Sequence, residues 1–486
     1  MSEQSGRGLY LHIPFCHQRC HFCAFYLEIH QPQRTDEFVN ALLQEIRIYA
    51  DLDPFCSTPL DSAYLGGGTP TVLASDRLGA ILSTVGLTFG IRDRAEITVE
   101  AHPGTVTERS LASLLEAGVN RLSFGVESMD ERELALVGRP GTPLEPRRAV
   151  KAARTAGIRN ICLDLIYGLP GQTNQSWAAS LERAIALEPT HVSCYALTVE
   201  EGTHLERGIR RGTVTAPDPI LQNELEDEAE ERLSAAGFQR YEISNYARPG
   251  YASRHNLLYW QGGRYLGLGP SAQSYIGNRR FGNLSDLEGY QASLRSGSLP
   301  IVDAEELSPV EQALDRLIFG LRLIDGLSLA DSGLEEAPGF SQAVQPLIAE
   351  RLVAVDEGKI RLTRLGRRFA DSEENAPACS QLARRPACRR TLATTPQVRH
   401  TTTTSRSNGK SGHHTFGSSM WTSVGRYPRY AELAPGRTLP TLSCAVNQPA
   451  HDAVDLGLRP VGDYRDHCEG TTDARQHGSN EKAPAA

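Results

Sequence analysis

The sequence lacks several features that would place the protein in a membrane or outside the cell. No stretch approaches the ~18 consecutive apolar residues of a transmembrane helix, and the first residues, MSEQSGRGLYLHIP, lack the apolar core of a secretion signal. Only 10 cysteines occur among 486 residues, too few for a disulfide scaffold. An excess of positive charge is also missing, because 58 acidic residues outnumber 50 basic ones and the net charge is -8. These absences predict a cytoplasmic protein and argue against binding of nucleic acid or membrane surfaces through bulk charge.

Short apolar runs alternate with amphipathic stretches from Gly8 to Leu197. The alternation predicts six strands joined by five helices, and such repetition implies a parallel sheet with right-handed crossovers. The predicted fold class is therefore α/β, a partial (β/α)6 TIM-like barrel, with its chemistry at the carboxyl ends of the strands. The predicted strands are GLYLHI from Gly8, SAYL from Ser62, EITVE from Glu96, RLSFGV from Arg121, ICLDLIY from Ile161 and HVSCYAL from His191.

Composition divides the rest of the chain. We expect the barrel to span 1–235, an aromatic-rich extension 236–300 and a small C-terminal module 301–372. In the module, the helical patterns SPVEQALDRLIFGLRL and SQAVQPLIAERL precede two strands joined at Asp356-Glu357-Gly358. This order is typical of a winged helix.

Residues 373–486 differ in composition from the rest. They contain no isoleucine, one phenylalanine, 12 arginines against 2 lysines, and 13 threonines, four of them consecutive. No sustained helical or strand period runs through them, so the segment cannot bury enough apolar surface to offset its ordering entropy. We expect a disordered tail, and a change of reading frame in the gene would explain its abrupt onset.

Three cysteines, Cys16, Cys20 and Cys23, form a CxxxCxxC motif directly after the first predicted strand. Clustered thiols in a reducing compartment indicate metal or redox chemistry. Three thiolates can bind three irons of a [4Fe–4S] cluster and leave the fourth iron open to a substrate. A zinc site is the alternative, with its fourth ligand from one of three nearby histidines: His12, His17 or His21.

Other candidate residues lie in or just after predicted strands. The second strand runs into Gly66-Gly67-Gly68-Thr69-Pro70, where glycines would let the backbone approach a ligand closely or would simply form a turn. Glu100 ends the third strand, where a carboxylate can bind ribose hydroxyls or face solvent. Asp164 lies within an apolar strand, and a buried aspartate needs a partner or a function.

Taken in order, these motifs resemble those of the radical S-adenosylmethionine (SAM) superfamily, and within it the coproporphyrinogen III oxidase-like branch. The resemblance extends from about Gly8 to Ser372. The matching segments are YLHIPFCHQRCHFC at 10–23, GGGTP at 66–70, VEAHPGT at 99–105, NRLSFGVES at 120–128, DLIYGLPGQT at 164–173 and HNLLYW at 255–260.

The resemblance implies cofactors and residue roles. Cys16, Cys20 and Cys23 would ligate a [4Fe–4S] cluster, and SAM would chelate its open iron through its amino and carboxylate groups. An electron donor would reduce the cluster, which would cleave SAM to methionine and a 5′-deoxyadenosyl radical. Further residues match SAM-contacting positions: Tyr10, Gly67, Gly68, Thr69, Glu100, Glu127, Arg139, Asp164 and Ala196. At Glu127 the branch usually has glutamine, and a carboxylate cannot donate a hydrogen bond as an amide does.

Two departures separate the chain from the oxygen-independent coproporphyrinogen III oxidases of the branch, which convert two propionates to vinyl groups. The oxidases resemble CxxxCxxCxC, and the last of these cysteines is replaced here by Phe25. They also carry an N-terminal extension, whereas the first predicted strand starts here at about Gly8. The heme chaperones of the branch resemble this chain in both respects.

The segment HNLLYW also matches the heme chaperones, in which HNxxYW is linked to heme. His255 would ligate heme iron, and Tyr259 and Trp260 would offer flat aromatic surface. Alternatively, His255 and Asn256 would cap a turn while the two aromatic side chains fill a core.

Three functions from different classes are therefore open. The favoured function is a heme chaperone that binds heme or a porphyrin and passes heme to hemoproteins of the respiratory chain, which would bring it to the inner face of the membrane. The second is a porphyrinogen oxidase. The third is a zinc-containing nucleic-acid module built on the winged-helix-like segment, although we expect no nucleic-acid partner.

Overall fold

The structure is a computed structural model that describes residues 6–52, 58–139, 141–332 and 340–370. The prediction of a disordered tail at 373–486 lies outside the described residues. Among the described helices, none has the length and apolar character needed to cross a membrane.

Strands and helices alternate through the first half of the described chain. The strands are β1 (Arg7–Ile13), β2 (Phe15–Cys16), β3 (Glu28–Ile29), β4 (Leu60–Gly67), β5 (Ile91–Ala101), β6 (Arg121–Glu127), β7 (Asn160–Tyr167), β8 (His191–Ala196), β9 (Gln239–Glu242), β10 (Asn245–Ala247), β11 (Arg264–Leu268), β12 (Gln273–Ile276), β13 (Arg279–Asn283), β14 (Ile301–Glu306), β15 (Leu327–Ser328), β16 (Val353–Asp356) and β17 (Lys359–Leu362). The helices are α1 (Pro32–Leu52), α2 (Ser75–Phe89), α3 (Glu108–Glu116), α4 (Glu131–Leu136), α5 (Leu144–Ala156), α6 (Asn174–Ile185), α7 (His204–Arg210), α8 (Pro219–Ala235), α9 (Arg254–Trp260), α10 (Leu287–Arg295), α11 (Pro309–Gly320), α12 (Leu329–Ser332), α13 (Phe340–Ala349) and α14 (Arg364–Arg368).

The six predicted strands lie side by side, in chain order, within a 12-stranded sheet. They are β1, β4, β5, β6, β7 and β8, and each pairs in parallel with the next. The described sheet ends at β14 on one side and at β9 on the other without closing on itself. The predicted partial barrel is therefore confirmed. The sequence does not predict β11, which pairs in parallel with β1 from within the aromatic-rich segment.

Local signals set the bounds of the helices between these strands. Helices α3 and α6 begin with capping boxes, in which the hydroxyls of Thr107 and Thr173 accept hydrogen bonds from backbone N–H groups of the first turn. Helix α5 ends at Gly157, whose φ of 101° lies in the left-handed region that favours glycine. Each helix thus stops in time for the chain to enter the next strand.

Alternate residues of each barrel strand face opposite sides of the sheet. On β1, Leu9 and Leu11 are fully buried in the main core cluster, which also contains Phe38 of α1. Tyr10 and His12 lie on the other face, where Tyr10 belongs to a separate cluster. The outer face of the barrel therefore carries the hydrophobic core, and the inner face is left to polar side chains.

The described part of the C-terminal module consists of helices followed by a hairpin, as predicted. Strands β16 and β17 pair in antiparallel fashion and turn through Glu357 and Gly358, both with positive φ. Strand β15 adds a third antiparallel strand. Apolar side chains of the module pack in a cluster of their own that includes Leu317, Leu321, Val344, Leu347, Val353, Ile360 and Leu362.

Helix α9 joins the barrel to this module. Its Trp260 is fully buried and packs against Phe319 of α11, with ring centroids 6.4 Å apart. The Arg322 guanidinium lies 4.7 Å from the Trp260 ring centroid, a cation–π distance. Elsewhere, Arg368 of α14 forms an ion pair with Asp227 of α8 at 2.8 Å.

Candidate cofactor site

The carboxyl ends of the barrel strands and the cysteine loop enclose a cavity of about 410 Å³, within the range of small-molecule sites. Tyr10 and His255 are absent from its lining. The other predicted site residues all line it: Cys16, Cys20, Cys23, Gly67, Gly68, Thr69, Glu100, Glu127, Arg139, Asp164 and Ala196.

Backbone hydrogen bonds hold the cysteine loop against the end of β4. The Gly68 N–H donates to the Ile13 carbonyl at 2.8 Å, and the Thr69 N–H donates to the Phe15 carbonyl at 2.7 Å. A Cβ atom on Gly68 would lie 2.6 Å from the Phe15 oxygen, so this approach requires glycine. The Thr69 hydroxyl thereby lies 3.4 Å from Cys16 Sγ. The GGGTP segment therefore positions the cysteine loop.

Arg19 organises the same loop from within. Its guanidinium donates to the carbonyl oxygens of Cys23, Phe25 and Leu27 at 3.3, 3.1 and 3.0 Å. Three bonds from one side chain fix the path of the chain past the last cysteine. Phe25, where the oxidases carry a further cysteine, consequently lines the cavity.

The three cysteine thiols are partly exposed and line the cavity. Burial raises the pKa of Cys16 and raises the pKa of Cys23 to about 12, so both are neutral thiols until a metal replaces the proton. Among the described residues, no three His, Cys, Asp or Glu side chains converge on a point that could hold a single metal ion. A [4Fe–4S] cluster needs no such convergence, because each thiolate binds a different iron. Three sulfur donors on one loop fit such a cluster.

Arg139 links the cysteine loop to β6. Its Nη1 atom lies 3.4 Å from Cys20 Sγ, and its Nη2 donates to the Gly125 carbonyl at 2.5 Å. The same Nη2 lies 3.4 Å from Glu127 Oε1. Burial raises the pKa of the Glu127 carboxyl, and the guanidinium opposes that shift. The Glu127 carboxylate thus faces the positively charged Arg139 guanidinium. A glutamine at this position is uncharged and would not neutralise that charge.

Two further carboxylates line the cavity, one from β5 and one from β7. Glu100 accepts hydrogen bonds from the Tyr64 hydroxyl at 2.8 Å and from the Gly67 N–H at 3.2 Å. Asp164 is half-buried and accepts a hydrogen bond from the Ser123 hydroxyl at 2.9 Å, so the carboxylate has a partner as well as access to the cavity. Carboxylates held in this way can accept hydroxyl or amino groups of a ligand.

Tyr10 and His255 lie away from the cavity surface. The Tyr10 hydroxyl contacts a neighbouring histidine ring at 3.0 Å. His255 is fully buried, with Nδ1 2.7 Å from Ser62 Oγ and Nε2 2.9 Å from the Tyr259 hydroxyl. Burial lowers the pKa of His255 to about 3, so the ring is neutral. In this segment, the residue that lines the cavity is Asn256.

Some cavity-lining residues were not among the predicted site residues. Arg121 and Ser123 precede Gly125 and Glu127 at alternate positions of β6, and all four line the cavity. The signal for them was the period of two, which places every second residue of a strand on one face. Asn256 had no comparable signal, because its position depends on how α9 packs beneath the barrel.

Comparison with known proteins adds the family. Residues 10–184 match the Radical SAM superfamily, and residues 307–369 match the HemN C-terminal domain. The chain is 36% identical over 371 residues to the heme chaperone HemW of Mycobacterium tuberculosis, covering 75% of this chain and 93% of the relative. It is 39% identical over 330 residues to the heme chaperone HemW of Synechocystis sp., covering 66% of this chain and 79% of the relative.

A solved structure is also similar. The coproporphyrinogen III oxidase HemN from Escherichia coli, described as a radical SAM enzyme, matches with a TM-score of 0.68 and 26% identity, covering 78% of this chain and 90% of that chain. The sequence relatives and this structure agree on one superfamily. The chain therefore belongs to the HemW family of the radical SAM superfamily, whose cofactors are a [4Fe–4S] cluster and SAM.

Proposed function

We propose that this protein is a heme chaperone, which binds heme and delivers it to hemoproteins. The observation that carries the proposal is the match to relatives named heme chaperone HemW over 93% and 79% of their length. Phe25 supports it, because a phenylalanine lines the cavity where the oxidases of the branch carry a further cysteine.

We further propose which residues hold the cofactors. Cys16, Cys20 and Cys23 would ligate the [4Fe–4S] cluster, which together with SAM supplies one-electron chemistry when bound. Arg139 would keep a positive charge 3.4 Å from the Cys20 sulfur, which favours the thiolate that iron requires. The residues proposed to contact SAM are Tyr10, Gly67, Gly68, Thr69, Glu100, Glu127, Arg139, Asp164 and Ala196.

The proposed heme contact at His255 has a structural requirement. Both ring nitrogens are hydrogen-bonded, to Ser62 and to Tyr259. Ligation of heme iron by His255 would need α9 to give up at least one of these bonds. A His255→Ala variant that binds heme as tightly as the wild type would remove this contact from the proposal and leave the chaperone function in place.

The remaining parts of the proposal concern partners, location and domain limits. The recipients would be hemoproteins of the respiratory chain, so the protein would work in the cytoplasm and at the inner face of the membrane. An electron donor would reduce the cluster. The domains would be the barrel at 1–235, the extension with HNLLYW at 236–300 and the C-terminal module at 301–372, followed by the tail.

A second candidate is an oxygen-independent coproporphyrinogen III oxidase. It is favoured by the likeness to HemN, which extends over 90% of that structure with a TM-score of 0.68. The cysteine loop and cavity leave room for this alternative, because neither Phe25 nor the start of β1 removes a proposed cluster ligand.

One anaerobic experiment separates the two candidates. The full chain is reconstituted with iron and sulfide, titrated with hemin, and incubated with an apo-cytochrome; separately it is incubated with SAM, a reductant and coproporphyrinogen III. A chaperone binds hemin saturably and transfers it to the apo-cytochrome without forming vinyl products. Vinyl products together with an absence of saturable hemin binding would overturn the proposal in favour of the oxidase.

A further inference from the structure

Arg121 is a buried cation at the deep end of the cavity. Arg121 is the first residue of β6, is 1% exposed and lines the cavity. Its Nε and Nη1 atoms have no hydrogen-bond partner within the described part of the chain. Buried donors without an acceptor are costly, so a ligand oxygen that accepted hydrogen bonds from these two atoms would be stabilised.

The nearby carboxylate of Glu96 already accepts hydrogen bonds from other donors. It accepts hydrogen bonds from the Ser253 hydroxyl at 3.1 Å and from the backbone N–H groups of Arg254 and His255 at 3.2 and 3.1 Å. The hydrogen bonds of Glu96 thus go to the start of α9, while its negative charge also favours the Arg121 cation.

Depth along the strand separates Arg121 from the cysteine loop. Arg139, which contacts Cys20, is bonded to the carbonyl of Gly125. Gly125 lies four residues beyond Arg121 on β6, a distance of about 13 Å between Cα atoms at the usual rise of a strand. An anion at Arg121 therefore belongs to a ligand that reaches well below the level of the proposed cluster.

A second buried polar group shares this part of the cavity. Asn256 is 2% exposed, lines the cavity, and its Oδ1 atom has no hydrogen-bond partner among the described residues. Arg121 comes from a barrel strand and Asn256 from α9, so two independent elements bring incompletely bonded polar groups to one place. Buried polar groups of native proteins are almost always bonded.

From these observations we infer that Arg121 is the receptor for a carboxylate on a side arm of a tetrapyrrole, such as a propionate of heme. The inference rests on the proposed function for the identity of the ligand. The planar guanidinium offers a carboxylate two parallel hydrogen bonds. With this arrangement, the tetrapyrrole arm would occupy the deep end of the cavity, and the cluster and SAM would occupy the end near the cysteines.

Arg121→Met tests the inference, because it removes the charge at similar volume. The full chain, reconstituted anaerobically, is titrated with hemin, with hemin dimethyl ester, and with SAM. The matched control is Arg240→Met, since the Arg240 side chain is also largely buried, at 6% exposure, but is paired with Glu226 and Glu230 at 2.6 and 2.7 Å. Arg121→Lys is a second variant, which keeps the charge and loses the fork.

The expected result is that Arg121→Met weakens hemin binding by about tenfold or more, as loss of hydrogen bonds to a charged group predicts. Binding of the dimethyl ester and of SAM should not change, and Arg121→Lys should fall between wild type and Arg121→Met. The melting temperature should fall more for Arg240→Met than for Arg121→Met, because Arg240 loses two ion pairs.

Three outcomes would overturn the inference. Weaker SAM binding with unchanged hemin binding would assign the guanidinium to the cofactor carboxylate. Unchanged binding of all ligands with lowered thermal stability would make Arg121 a structural residue. If the wild type does not bind hemin, the chaperone proposal fails, and the titrations are repeated with coproporphyrin III. The role of Arg121 is then refuted if Arg121→Met binds coproporphyrin III as tightly as the wild type, or if the wild type does not bind coproporphyrin III.

Discussion

Replacement of Glu45 by glutamine is expected to stabilise the protein at alkaline pH relative to acidic pH. Glu45 of α1 is fully buried, and its carboxylate accepts hydrogen bonds from the Gly269 N–H at 2.8 Å, the Asn283 amide at 2.6 Å and the Tyr290 hydroxyl at 2.6 Å. Burial raises its pKa from 4.5 to about 7, against the effect of the three donors. The network ties α1 to the strands beyond β11 and to α10.

The raised pKa fixes the sign of the effect. The folded protein holds the Glu45 proton more tightly than the unfolded chain does, so its contribution to stability is complete below pH 4.5 and is lost as the pH rises through 7. The shift corresponds to about 3 kcal/mol in full, of which about 2 kcal/mol is lost between pH 5 and pH 8. Glutamine is neutral throughout this range and nearly the same shape, so the variant should lose none of it.

Urea unfolding at pH 5 and at pH 8 measures this difference. The free energy of unfolding of the wild type, relative to Glu45→Gln, should fall by about 2 kcal/mol between the two pH values. Glu116→Gln, at an exposed position of α3, should follow the wild type. The reasoning fails if the difference between wild type and Glu45→Gln is the same at both pH values, since the three donors would then be holding Glu45 ionised throughout.

Three further predictions concern the cysteine loop, its arginine and the C-terminal module. Cys20→Ser should abolish the retention of iron and acid-labile sulfide after anaerobic reconstitution, whereas Cys194→Ser, at a buried cysteine outside the cavity lining, should retain both; equal metal contents would contradict this. Arg139→Met should lower the free energy of unfolding by about 3 kcal/mol, because it leaves the Glu127 carboxylate without its cation, and by much less when combined with Glu127→Gln; additive losses in a double-mutant cycle would count against the pair. Trp260→Ala should cost about 3 kcal/mol and speed proteolytic cleavage of the C-terminal module, so an unchanged digestion pattern would show that this contact does not hold the module.

The parallel sheet was predictable because its signals are local. Each barrel strand contains a short apolar run, and one helix separates each strand from the next, except that α4 and α5 both lie between β6 and β7. Strand β11 was not predicted because it depends on a distant partner. Its five residues pair with β1, more than 250 positions earlier in the sequence. No pattern within Arg264–Leu268 reveals that partner.

The site divides in the same way. The spacing of Cys16, Cys20 and Cys23 is a local property, and the structure places all three beside the cavity. The burial of His255 is not local, since it follows from Ser62 on β4 and from the packing of α9. Arg121 was overlooked because a charged residue at the start of a strand usually faces solvent, and only the assembled barrel turns it inward.

Helix α9 contacts both the barrel, next to the cavity, and the C-terminal module. Glu96 of the barrel accepts hydrogen bonds from the start of the helix. The last residue of the helix, Trp260, packs against Phe319 of α11. The helix has seven residues and is about 10 Å long. Asn256 at the cavity and Trp260 at α11 therefore lie on one short helix, so the lining of the cavity and the packing of the C-terminal module depend on the same element.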